Sequence, residues 1–245
     1  MEESSAGTAM PLQAAAGMDL TAFLGSLQLA DSLFPSGLYT LSHGLESFAQ
    51  AGLLKPARLE ALLTDYLRHG VGPSDGAALA CAHRAAQTGD LDIAVQADLR
   101  LSAIKLPREA RTNSQRTGRQ LLKTASGIFG GATLLTYGGI TERGEAPCNH
   151  AIALGLTMAQ LGIDREHAVA GELYAFAASA VGSAVRLAVI DHHFAQVVLA
   201  ALKPVIVQSA RLQCLSNIED IASSTPLIDI MAMQHERAEV RLFVS

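Results

Sequence analysis

The chain of 245 residues has no tryptophan, and aromatic residues make up only 4% of it. Sheets depend on aromatic and β-branched side chains, so a β-rich fold is disfavoured. Only three cysteines occur, Cys81, Cys148 and Cys214, far apart and odd in number. They build neither a disulfide framework nor a CxxC metal knuckle. The first twenty residues have no basic run leading into an apolar stretch, so no signal peptide is read there. A reducing, cytoplasmic setting is the expectation. Catalytic signatures are also missing. There is no Gly-Lys dipeptide and hence no P-loop, and there is no GxGxxG. His235-Glu236 opens like HExxH, but Glu239 stands where the second histidine belongs. Charge of one sign does not dominate: 18 basic residues face 23 acidic ones, a net of −5, which excludes a globally basic nucleic-acid binder. No uncharged run is long and apolar enough for a membrane span. Residues 173–185 are too short, and 124–141 carry five glycines.

What is abundant is small and aliphatic. Apolar residues form 49% of the chain and the mean hydropathy is +0.26. That excludes disorder and fits helices with extensive burial, part of it against a partner. Residues 1–18 are small, polar and aperiodic, and read as a flexible tail. From Asp19 onward, apolar positions recur at helical spacing, with Leu20, Phe23, Leu24 and Leu27 on one face. Helices are predicted at 19–31, 42–51, 56–70, 75–88, 91–106, 107–126, 148–161, 165–190 and 194–215. Ser42 is read as an N-cap, Pro56 as a first-turn proline, Ser74 or Asp75 as a cap, and Asp164 as the cap of a long Ala-rich helix. That helix is either a central core element or a homodimer face. Residues 127–147 read as a Gly-rich loop, with the one candidate strand inside 132–141. The expectation is an all-α, single-domain bundle of nine or ten helices over 19–217, with an Ala-rich central helix.

Chemistry is sparse. Gly72-Pro73-Ser74-Asp75-Gly76 matches G-x-S-x-G by letter. A nucleophile elbow needs a buried strand before it, whereas 59–70 are helical in pattern, so a turn and cap between helices is the better reading. Cys148 and His150 offer two ligands without a third. His192 and His193 diverge by about 100° on a helix and do not chelate one ion together. More informative is a basic cluster: Arg100, Lys105, Arg108, Arg111, Arg116, Arg119 and Lys123, with Glu109 as the one acid among them. Arg116, Arg119 and Lys123 share a helix face. This is either a solvated surface or a docking surface for an acidic protein partner. The segment 218–245 keeps apolar anchors to Leu242 and Phe243, beside Arg237 and Arg241, where a tail ordinarily turns polar. It either packs back on the body or orders on a partner, and Arg beside an aromatic anchor is typical of interface hot spots.

Three blocks resemble the urease accessory protein UreF family. They are LQLADSLFPSGLYTLSHGLE at 27–46, SQRTGRQLL at 114–122, and PLIDI, MQHE and RLFVS at 226–230, 233–236 and 241–245. The resemblance spans roughly residues 22–245. It implies an all-α homodimer without enzymatic activity or a resident cofactor, which bridges a UreD-type (UreH-type) accessory protein and the GTPase UreG. That complex delivers nickel to apo-urease; GTPase regulation and a passage for nickel are further roles proposed for the family. Nucleic acid and membrane are not among the implied partners. On this reading the partner-contact candidates are Tyr39, Ser42, His43 and Glu46 in the first block, Arg116 and Arg119 in the second, and His235, Glu236, Arg241, Leu242 and Phe243 in the tail. Two other classes stay open: a free-standing nickel metallochaperone using His43, Cys148, His150 or His235, and a hydrolase using Ser74.

Overall fold

Several helices start where a carboxylate or a proline can start them. In the computed structural model, which describes residues 19–31, 33–35, 41–236 and 242–243, Asp19 accepts from the amides of Thr21 and Ala22 to open α1 (Leu20–Ala30). Asp90, Asp164 and Asp191 do the same for α5 (Leu91–Ile104), α9 (Arg165–Arg186) and α10 (His192–Gln213). Pro56 occupies the first turn of α3 (Pro56–Asp65), where its missing N–H costs nothing. The remaining helices are α2 (Leu45–Gln50), α4 (Ala77–Thr88), α6 (Arg108–Phe129), α7 (Ala132–Glu142), α8 (His150–Gln160) and α11 (Pro226–His235). No strand occurs among the described residues, and the expected all-α bundle is what forms.

The centre of the bundle is the crossing of α4 and α8. Both are faced with small residues: Ala77 to Ala82 have no solvent exposure, and the α8 residues 150–158 are buried throughout. Gly155 lets the backbones approach; a Cβ there would lie 2.6 Å from the carbonyl oxygen of Leu79. The Ala-rich α9 buries Ala177, Ala180, Val181 and Ala184 against this centre. Of its small residues, Ala178 and Gly182 stay half-buried. The leucines of α1 behave differently. Ala22 and Gly25 face inward, whereas Leu20, Phe23, Leu24 and Leu27 are exposed, so the apolar face read from the sequence points outward.

Three expectations need correction. The stretch 127–147 is not a loop and holds no strand: α7 runs through it, buried only through Leu134 and Tyr137. Two buried positions three residues apart among glycines and threonines leave no periodic signal to read. Ser42 is not the cap of α2. Its carbonyl accepts from Leu45, and the N-cap is Gly44, in the left-handed region that glycine adopts without penalty. Residues 72–76 are not a turn. The chain stays helical from Pro56 to Thr88 through two π-helical turns, Tyr66–Gly70 and Gly72–Gly76. Pro73 explains the widening. It has no N–H for the carbonyl of His69 four residues back and would clash with it in an α-helix. That carbonyl is instead taken by the amide of Ser224 at 2.8 Å, and the Pro73 carbonyl accepts from Ala222 at 3.1 Å. The C-terminal segment thus begins by filling the hydrogen bonds that a proline opened.

Two helices, Arg165–Arg186 and His192–Gln213, are long and apolar enough by composition to cross a membrane. They pack against each other and the bundle, with 56% and 39% of their apolar windows buried.

Candidate functional site

The first and last sequence blocks meet on a buried glutamate. Glu46, in the first turn of α2, is 1% exposed. Its Oε2 lies 3.0 Å from Nε2 of His235, at the end of α11, and His235 Nδ1 lies 2.8 Å from Oε2 of Glu109 on α6. Through its two ring nitrogens His235 joins α2, α6 and α11. Glu46 does more. Its two oxygens accept from the backbone amides of Leu242 at 2.8 Å and Phe243 at 3.2 Å. The Arg186 guanidinium stands 4.8 Å from the Phe243 ring centroid, a cation–π contact. Glu236 turns back to accept from the amide of Glu109 at 3.2 Å, a carboxylate at the positive start of α6.

A cavity of about 190 Å³ opens beside this clasp, roofed by Ile228, Asp229 and Ala232 of α11. His43 enters it from the loop before α2, held by Ser179 Oγ at 3.0 Å and edge-on to Phe176, while Tyr66 donates its hydroxyl to the His43 carbonyl. His150 and Glu172 face each other across 3.9 Å, too long for a hydrogen bond. Burial, with Lys105 second, lowers His43 to about 4. Burial likewise lowers His150 to about 4. Burial, aided by Asp75, pushes Glu172 up to about 8. The His150–Glu172 pair is thus a neutral imidazole opposite a neutral acid at pH 7, not an ion pair. Lys105 and Asp75 are the ionic contact here, at 2.8 Å.

The hydrolase reading finds no machinery. Ser74 sits in a helical turn and donates to Asp75 at 2.9 Å, with no imidazole in the bond. The metallochaperone residues are not gathered either. His43 and His150 line the cavity, His235 is engaged by two glutamates, and burial pushes the Cys148 thiol up to about 12. Among the described residues no group of three or more His, Cys, Asp or Glu side chains could hold a metal ion. Of the sequence candidates, Glu46, His235, Glu236, Leu242 and Phe243 come together, His43 lies next to them, and Ser42 is buried just behind. Arg116 and Arg119 stand apart, exposed on the outer face of α6. Tyr39 and Arg241 lie outside the described residues, as does the segment 1–18.

Sequence reading missed Glu109, Asp75, Lys105 and Glu172 as parts of this region. Glu109 had a signal, as the one acid in a basic window; Glu172 bracketed an uncharged run. It also missed Asp98, which is fully buried. Its carboxylate accepts from Tyr137 Oη, from the amides of Cys148 and Asn149, and from Asn149 Nδ2, at 2.6 to 2.9 Å. This knot fixes the chain just before His150.

Comparison with known proteins agrees with the family resemblance. The UreF family profile matches residues 53–203. A urease accessory protein UreF from Trichodesmium erythraeum is 32% identical over 228 residues, covering 93% of this chain and 98% of the relative. One from Brucella canis is 30% identical over 226 residues, covering 92% and 93%. One from Bacillus sp. TB-90 is 28% identical over 223 residues, covering 91% and 98%.

Proposed function

The chain belongs to the UreF family of urease accessory proteins, and from that premise we propose that it is a non-enzymatic adaptor. It bridges a UreD-type protein and the GTPase UreG, as a homodimer in the cytoplasm, so that nickel, the cargo, reaches apo-urease. The observation that supports this most is the clasp. Glu46 ties the first sequence block to the last, and the tail held there turns Leu227, Ile230, Met233 and Leu242 outward. Apolar side chains held exposed on a polar mount suit contact with another protein. The outward leucines of α1 supply further surface for a mate or a partner.

Co-purification tests the reading. Full-length chain co-expressed with the UreD-type protein and UreG should recover both. A chain ending at residue 217 should recover neither as a ternary complex. Because that truncation also removes the cavity roof, Leu242→Asp serves as a folded variant, its side chain being 73% exposed. Recovery of both partners at wild-type levels by both variants would refute the tail as the bridge.

A further inference from the structure

α6 carries a cationic stripe with no acidic counterpart among the described residues. Its inner face, Ser114, Thr117, Gly118, Leu121 and Leu122, is packed inward, with α8 among its neighbours. On the outer face, Arg108, Arg116, Arg119 and Lys123 are all exposed. At 100° per residue these four fall within an arc of about 80°, and they span about 22 Å of helix. The exposed residues between them, Thr112 and Gln120, are neutral. The helix's one acid, Glu109, is turned aside to His235. Among the described residues none of the four cations is in a salt bridge, and Arg116 has only a 3.5 Å contact to Asn113 Oδ1. Two other exposed arginines do have carboxylate partners, Arg143 with Glu145 and Arg211 with Glu166. Arg116 and Arg119 at i, i+3, and Arg119 and Lys123 at i, i+4, repel each other along the helix. A partner carboxylate would relieve that.

We propose that this stripe docks an acidic protein surface, presenting carboxylates to Arg108, Arg116, Arg119 and Lys123 in sequence along the helix. Its N-terminal end adjoins Glu109, so it runs outward from the clasp and extends the same interface. Here the inference rests on the bridging reading and places one of the two bridged proteins on α6. Nucleic acid and anionic lipid fit less well. Setting these four aside from the 18 basic residues leaves 14 against 23 acidic ones. A surface wider than one helix would therefore meet net negative charge. The stripe also has no aromatic residue to stack on a base or enter a bilayer.

The test uses the full chain and its purified UreD-type and UreG partners, with binding measured over a salt series. Arg116→Glu/Arg119→Glu should weaken binding of one partner by about tenfold or more at low salt and flatten its salt dependence. Arg116→Lys/Arg119→Lys should stay within about threefold of wild type, because charge is kept. Circular dichroism should be the same for all three proteins. Unchanged affinity and salt dependence in the charge-reversed variant would overturn the proposal and leave the bridging reading intact. So would wild-type binding to duplex DNA or phosphatidylserine vesicles at physiological salt that the reversed variant loses. Failure of the wild-type chain to bind either partner would overturn both.

Discussion

Asp98→Asn is nearly isosteric, so it isolates what the buried carboxylate does. Each oxygen of Asp98 serves two donors. Oδ2 takes the Tyr137 hydroxyl at 2.7 Å and the Cys148 amide at 2.6 Å; Oδ1 takes the Asn149 amide at 2.9 Å and its Nδ2 at 2.7 Å. An amide keeps one oxygen, and its NH2 must face two donors. Placed toward Oδ2, it can donate to a rotated Tyr137 hydroxyl, which leaves the Cys148 amide opposed. Hydrogen bonds to a charged group contribute roughly 1.5–3 kcal/mol each, and a stranded buried donor costs roughly 1–3 kcal/mol. Relief of carboxylate desolvation offsets part of that loss, so the net is about 2 kcal/mol. Asp98→Ala strands the Tyr137 hydroxyl and the Cys148 and Asn149 amides, while Asn149 Nδ2 keeps Ser102 Oγ at 2.7 Å; it should cost about 4 kcal/mol, its cavity admitting water to some of the stranded donors. For a chain of this size, 1 kcal/mol moves Tm by about 2–4 °C. Far-UV circular dichroism melts should fall by about 4–8 °C for Asp98→Asn and about 8–16 °C for Asp98→Ala. An Asp98→Asn protein melting within about 1 °C of wild type would show that the knot is not the tie between α5, α7 and α8 described above.

Gly118→Ala tests the same corner from α6. A Cβ there would lie 2.1 Å from the Cys148 carbonyl oxygen and 2.8 Å from the His150 amide nitrogen, both rigid backbone. Helix propensity alone would make this change stabilising by about 1 kcal/mol. The clash should reverse the sign to a loss of about 3 kcal/mol, so a raised Tm would refute the close approach. His235→Gln leaves an amide oxygen against one of the two glutamates. Limited proteolysis followed by mass spectrometry should then show cleavage C-terminal to α11 at least about tenfold faster, with the bundle still protected; equal rates would mean the clasp does not hold the tail. Glu172 gives a pH prediction. Its folded pKa of about 8 exceeds the ordinary 4.5, so the folded state binds the extra proton between them and stability falls with rising pH across that window. His43 and His150, at about 4 instead of 6.5, do the opposite, and stability from them rises between about 4 and 6.5. Above pH 6.5 only the Glu172 contribution remains, a decline of about 2 kcal/mol by pH 8. Urea melts of Glu172→Gln should lack that decline; retaining it would refute the assignment.

Helices with charged starts and periodic faces were readable: Asp19, Pro56 and Asp164 mark their starts in the sequence as in the fold. α7 was not, because its burial rests on Leu134 and Tyr137 alone. Pro73 misled for a physical reason. A proline normally ends a helix, but here π-helical widening and two amides from the tail 150 residues away absorb it. The clasp was legible only as a list of members. Glu46, His235, Leu242 and Phe243 carried the family pattern. That they converge on one carboxylate needed the fold, since contacts separated by 126 to 197 positions leave no local period.

The way the tail is held bears on what it is for. Within α11 only Met231 and His235 are buried. Burying Met231 and Ile221 together contributes about 3–6 kcal/mol, little against the entropy of ordering residues 217–236. Ile218 and Ile228 pack half-buried against the core, and the remaining hold is polar: the amides of Ala222 and Ser224 on the carbonyls of Pro73 and His69, Arg100 donating to the carbonyls of Glu219 and Ile221, then the clasp. Polar ties exchange readily for equivalent ties to another protein, whereas a buried apolar face must be re-covered at once. Exchange of those ties would uncover Ile221 and Met231 and leave the crossing of α4 and α8 closed. The apolar excess of the composition then divides in two. One part is locked in that crossing, and the other lies exposed on α1 and α11, the surface that the proposed function assigns to a second protein.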